Sequence, residues 1–535
     1  MRPYDPYDPW PNAVTPGTPA PGVPGPANAA HAPNTHAPNT HVPNAPADPW
    51  PNAVTPDVPA GRSALVSIVS GMAALILVAV TLGLAGGAHG TAAMDLIGDD
   101  AATAPRAPQA QTESRFPPPT TSPPTQSATP PPAASLQVLV RKKVDAIVEG
   151  HTSALAAGDQ AGFLNRLDPA TPALGTDRKR LFDNLRKVPF DTARWTVTAA
   201  EFTAADGSSV RTSGTAAAWP VTGTLDVGFE HAIAGVDVAN VRELYVWKVR
   251  CVDPADACTV TAVEGGKDTQ RRLSGYPAPW DLWDLSVEKR AHVVLMGPKA
   301  DAAVLRGRAT AAENAAVYTL GAWKGGPGTS PGFALVLTSS RKSFTKLYSS
   351  ESIRDWAAGY ALSLPGEKIP VGGARLVVDD EELSYDADFT RSLLRHEMTH
   401  ALVATLFRYS GAGETPTWLI EGFADWQADA DRPIAGSLSA RDIRTQVDRR
   451  KFTGKVPTDE DFETDDTDRV EHAYNLSHLA VRYLGDTYGA AKVGQFLTAA
   501  YAGTYDSVDI AMKTILGVEF EEFQTSWAAW VRKTV

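Results

Sequence analysis

Two histidines four residues apart, His396 and His400 in LLRHEMTHAL (393–402), enclose Glu397 in a run with helical apolar spacing and no glycine or proline. Residues four apart share one face of a helix, so both imidazoles can reach a single ion, and zinc takes nitrogen donors at about 2.0–2.1 Å. Glu397 is turned about 100° around the same helix. It falls near such an ion without having to bind it, which suits a proton acceptor. Twenty-one residues past His400 stands Glu421, in PTWLIEGFADWQADA, helical again after the turn residues GAGETPT. Two histidines, one glutamate and an open position are what a hydrolytic zinc site uses. Asp425 lies one helical turn beyond Glu421, where its carboxylate can accept the second N–H of a ligating histidine and fix its tautomer. A chance pair of surface histidines is the competing reading, and Glu421 is what argues against it.

These residues need a scaffold, and the surrounding pattern supplies one. A helix is expected over 388–408, with Asp388 as its cap. Upstream, AHVVLMG, GFALVLTSS and ARLVVDD read as strands, and 301–323 as a helix between the first two. Everything downstream of ARLVVDD reads as predominantly helical, so residues 280–535 form an α+β domain of a small sheet followed by helices. The exposed edge of ARLVVDD is the expected place for an extended peptide to add as a strand. Before it, 136–275 begins with a helix through Val140, Val144, Ile147, Val148 and Leu155, closed by Gly158 and Asp159. Period-two strands follow in ARWTVTAAEFTA, AAWPVTGTLDVGFE and ELYVWKVRC. His151 on the first helix either lines a pocket or is a buried structural histidine.

HEMTH followed by WLIEGFADW resembles the gluzincin metallopeptidases, specifically the peptidase-MA-like group, whose second motif has the form W-x-x-E-G-x-A. The likeness covers about half of the chain and implies a zinc peptidase acting on peptide or protein substrates. It implies that His396, His400 and Glu421 hold the zinc and that Glu397 is the catalytic base. It also implies that Tyr474, in HAYNLSHLAVRYLGDTYG, steadies the oxyanion. A packing tyrosine is the alternative there, and His472 and His478 are either substitutes for that role or surface and packing residues. The glycine-methionine-glutamate-asparagine motif of the aminopeptidases is absent, with GGARLVV in the comparable place, which argues against exopeptidase action. Residues 136–275, in the phrase ALAAGDQAGFLNRLD and in their order of helices then curved sheet, resemble the nuclear-transport-factor-2-like (NTF2-like) cone fold.

The first 61 residues are dominated by proline, alanine, asparagine and threonine, and cannot bury enough apolar surface to offset chain entropy, so a disordered tail is expected. DPWPNAVTP occurs twice in it, and His31, His36 and His41 recur every five residues, as a metal-binding or simply solvated repeat. Residues 64–85 carry no charge and are long enough for a single transmembrane helix. Arg62 before the span and Asp95, Asp99 and Asp100 after it put the tail in the cytoplasm and the rest outside the cell membrane. The proline-rich linker 86–135 reads as a disordered, semi-rigid spacer. A net charge of -12 without any long basic run excludes nucleic acid as the expected partner. The remaining partners are the substrate, the bilayer and, through the prolines, a cytoplasmic protein. Cys251 and Cys258, the only two cysteines, bracket VDPADA between strand-like runs and form either a hairpin disulfide or two buried thiols. The rival to an enzyme is a membrane-tethered scaffold that binds zinc without turning over.

Overall fold

The structure, a computed structural model, describes residues 136–210, 219–266, 275–349, 353, 357–384, 386–407 and 415–535. The expected tail, the span at 64–85 and the linker lie outside these residues. Among the described residues no helix is long and apolar enough to cross a membrane. The fold is α+β.

The first module opens with α1 (Leu136–Ala157), α2 (Gln160–Leu164) and α3 (Pro172–Leu185). Gly158 ends α1 with a left-handed backbone (φ +72°), and the Asp159 side chain caps α2 by accepting from Gly162 N. Four strands follow in antiparallel order: β1 (Phe190–Thr203), β2 (Val221–Ile233), β3 (Val241–Cys251) and β4 (Thr259–Gly265). In β3 the alternation is plain, with Val241, Glu243, Tyr245, Trp247 and Val249 buried while Lys248 and Arg250 face out. Cys251 and Cys258 are joined in a disulfide across the β3–β4 turn.

A short helix, α4 (Pro279–Leu282), leads into the second module. Its sheet comprises β5 (Leu285–Lys289), β6 (Val293–Pro298), β7 (Phe333–Thr338), β8 (Gly359–Pro365) and β9 (Val371–Asp379), in the order β5-β6-β7-β9-β8. The three central strands are parallel and the two edges antiparallel. Helix α5 (Ala302–Ala322) makes the crossover that parallel β6 and β7 require, and α6 (Arg341–Lys346) follows β7. Strands β7 and β9 are buried at every position, as expected of strands covered on both faces. ARLVVDD therefore has no free edge: β9 is flanked by β7 and β8, and β8 is the edge strand. The remaining helices are α7 (Ala387–Val403), α8 (Thr417–Asp429), α9 (Leu438–Asp448), α10 (Thr467–Tyr488), α11 (Ala490–Tyr501), α12 (Val508–Ala511) and α13 (Phe520–Thr534).

The second sheet is a middle layer. Leu295, Leu335, Leu337, Leu376 and Val378 join the core built with α5, α7 and the later helices. The opposite face, with Val294, Met296, Val336, Tyr360, Leu362 and Val377, joins the core of the first module. Asn184 of α3, almost wholly buried, stitches the seam by donating to Trp280 O and Trp283 O and accepting from Leu285 N.

Candidate metal centre

Helix α7 starts two residues earlier than the sequence suggests. Asp386, not Asp388, caps it by accepting from Phe389 N at 2.6 Å, and the helix ends at Val403 in a short 3₁₀ turn rather than running to 408. Asp388 instead pairs with Arg391 and Arg432. From Leu393 to Val403 every residue is buried, because the sheet lies beneath while α5 and α8 close the flanks. Ser392 Oγ donates to Asp429 Oδ1 at 2.9 Å and Arg395 pairs with Asp431, so α7 and α8 are held side by side.

That pairing brings three donor atoms together. His396 Nε2 and His400 Nε2 are 2.9 Å apart, and each lies 3.3 Å from Glu421 Oε2. Four-coordinate zinc with bonds of about 2.0–2.2 Å sets its ligand atoms roughly 3.3 Å from one another, so the triangle has the right size. Glu421 Oε2 is buried and has no hydrogen-bond partner despite its two nitrogen neighbours, the condition of an acceptor waiting for a cation rather than for N–H groups. His396 Nδ1 donates to Asp425 Oδ1 at 2.7 Å, which leaves Nε2 to face inward.

The electrostatics ask for positive charge at the same point. Burial opposes a charge on His396, yet Asp425 and then Glu421 hold its imidazole well above the usual range. Burial also works to raise Glu421, but His400 and His396 outweigh it and hold the carboxylate at about 2. Burial keeps His400 below its ordinary value. A cation seated among these groups would take over the stabilising role that a proton otherwise plays.

Glu397 is fully buried beside the ligand helix face, and neither of its carboxylate oxygens has a hydrogen-bond partner. Burial, countered in part by His396, pushes it up to about 8. It abuts Gly359, the first residue of β8, where a Cβ would stand 2.9 Å from Glu397 Oε1. Gly422 has a similar reason: a Cβ there would overlap Ser477 O, so only glycine lets α10 approach α8 this closely. The approach delivers Tyr474 of α10 to the site, its ring 6.5 Å from that of His396 and its hydroxyl within reach of the Glu421 carboxylate. Burial and the surrounding carboxylates raise its phenol well above 10, so it stays a donor.

The other singled-out histidines sit elsewhere. His478 is buried one turn along α10, with Nδ1 bonded to Ser439 Oγ, and His472 pairs with Asp442 nearer the surface. His151 lies inside the first module, its Nδ1 against Ile147 O and its ring edge-on to Phe163 and Trp247. Sequence reasoning missed Gly359 and the work done by Gly422. The latter stands next to Glu421 in the quoted motif, and a glycine inside a helix is the signal that could have found it.

Residues 378–533 match the family model of the Peptidase MA superfamily. The match covers both motif helices and Tyr474, and does not reach the first module. No curated protein matches the chain.

Proposed function

We propose, on the premise that residues 378–533 are a Peptidase MA superfamily domain, that the protein is a zinc-dependent peptidase of the gluzincin type. The observation that carries this reading is the convergence of His396 Nε2, His400 Nε2 and Glu421 Oε2 at 2.9–3.3 Å, with Asp425 behind His396. When bound there, zinc supplies Lewis acidity, polarising a carbonyl and lowering the pKa of a water to about 7. Glu397 accepts the proton of the attacking water and passes it to the departing amine. Tyr474 donates to the oxygen that gains negative charge. His396, held by Asp425, and His400 keep their rings fixed through the cycle. An extended substrate pairs with β8, whose first residue abuts Glu397.

The same reading makes the chain a single-pass protein of the cell membrane, with 64–85 as the span, the proline-rich tail inside and the peptidase outside. The uncharged run supports the span, and a disulfide suits an oxidising exterior. The first module is read as an NTF2-like cone from its order of three helices followed by a four-stranded antiparallel sheet.

The test is metal analysis of the purified protein with and without chelator, paired with digestion of casein and of a peptide library. One zinc per chain and chelator-sensitive cleavage are expected. Zinc without any cleavage would make the protein a scaffold; no zinc would remove the proposal altogether.

A further inference from the structure

The connection between β2 and β3, residues 234–240, lies against the hairpin that joins β8 to β9. Val241 forms an antiparallel bridge with Gly366, just past the end of β8. Glu367 N donates to Asn240 O at 2.9 Å, and Val238 N and Ala239 N both donate to Gly372 O, at 3.0 and 3.1 Å. Side chains repeat the pattern: Asn240 Nδ2 donates to Glu367 Oε2 at 3.1 Å, and Arg194 of β1 pairs with Glu367 Oε1 at 3.0 Å. Beneath this clasp lies an ion pair without solvent. Arg375 of β9 donates to both carboxylate oxygens of Asp237, at 2.6 and 2.9 Å, and both side chains are 0% exposed. Asp237 Oδ2 also accepts from Ile233 N at 2.7 Å, so the carboxylate is tied to its own module as firmly as to the other. The glycine pair in VGGARLVV belongs to the same contact. A Cβ on Gly373 would overlap Asp237 Oδ1, and one on Gly372 would stand 2.9 Å from Asn240 O.

We propose that the first module positions the edge strand of the peptidase: Asp237, through Arg375 and the clasp on Glu367 and Gly372, holds β8 in place against Glu397. The inference rests on the peptidase reading for its functional half. Its logic is the lever of a single strand. At one end β8 meets the proposed base through Gly359; at the other it is fastened to the first module within one residue of Pro365. A short strand at a sheet edge has a neighbour on one side only, so an anchor at its far end decides how well its near end keeps register. The same anchor closes the far end of the edge, because the pairing position beside Gly366 is already taken by Val241. An extended substrate thus has the stretch from Gly359 to Leu364 to pair with. Asp237 is in this sense a positioning residue.

The test uses the full chain carrying Gly373→Ala, which wedges the two modules apart at Asp237 while its own backbone stays in a region open to alanine. Asn240→Ala, a milder loosening, serves if the first variant does not fold. Amide hydrogen exchange is followed by mass spectrometry, together with zinc content and peptide cleavage. At least tenfold faster exchange in 234–241 and in 359–366, with α7 unchanged and one zinc retained, is the supporting result. On a cleavable peptide KM should rise at least fivefold with a smaller change in kcat. Unchanged exchange in 359–366 with loosened 234–241 would overturn the proposal, and so would an unchanged KM in a variant whose β8 has loosened. If the native chain binds zinc and cleaves nothing, the peptidase reading fails by itself, and the exchange result still decides the clasp.

Discussion

Asp425 Oδ1 lies 2.7 Å from His396 Nδ1, and this one bond decides which nitrogen of the imidazole faces Glu421. Removing the acceptor frees the ring to turn and its tautomer to change. Asp425→Ala should keep all three donor side chains yet weaken zinc binding by about 10- to 100-fold. Competition with a chromophoric chelator measures it, and an unchanged affinity would deny Asp425 its orienting part.

Glu397 contributes no atom to the donor triangle, so its loss should separate metal from turnover. Glu397→Gln is expected to retain one zinc per chain while cleavage falls by roughly 10²-fold or more. A variant that digests peptide at the native rate would mean that another group takes the proton.

Glu421 sets the opposite case. Glu421→Gln should lose metal and, with it, whatever stability the metal adds, about 2.7 kcal/mol when free zinc is a hundredfold above its dissociation constant. Thermal unfolding with and without zinc reads this out: the native chain should shift with the ion and the variant should not.

Gly422 is where α8 and α10 touch, and Gly422→Ala would have to push Ser477 O away. The cost is expected at about 1–3 kcal/mol in urea unfolding, even though alanine is the better helix former. A neutral or stabilising result would show that the two helices separate without penalty.

His151 makes acid a selective stress on the first module. Burial, opposed by the Ile147 carbonyl and aided by Arg178, lowers its imidazole to about 4. The unfolded chain takes up that proton near 6.5, so between the two values the unfolded state binds more protons. The contribution is therefore full above about pH 6.5, shrinks as pH falls, and reaches a loss of order 3 kcal/mol near pH 4. The stability of the native chain minus that of His151→Leu, measured by urea titration from pH 7 to 4, should fall along that curve; parallel curves would contradict it.

The metal-site helices were legible because their signals are local. Helical spacing, the i, i+4 histidines and the carboxylates one turn apart all depend on neighbours within a few residues, and α7 and α8 bring those side chains into one cluster. The first-module strands announced themselves in the same way, through alternation. What escaped was long-range. The edge strand β8, GYALSLP, carries a glycine and a proline at its ends that mask it as a connection, so the sequence leaves ARLVVDD as an edge that β8 in fact covers. The cap moved from Asp388 to Asp386 because only the folded backbone shows which carboxylate reaches Phe389 N. That both faces of the second sheet are buried is likewise invisible in a run such as AHVVLMG, since periodicity alone does not say what lies on either side.

The sandwiched position of the second sheet has a consequence for how the protein tolerates being cut. A shortened form beginning after Gly265 would bare Val294, Met296, Val336 and Leu362 to water, a greasy plane prone to clumping. A cut that leaves this plane covered therefore has to fall upstream of Leu136, ahead of the first helix that builds its cover.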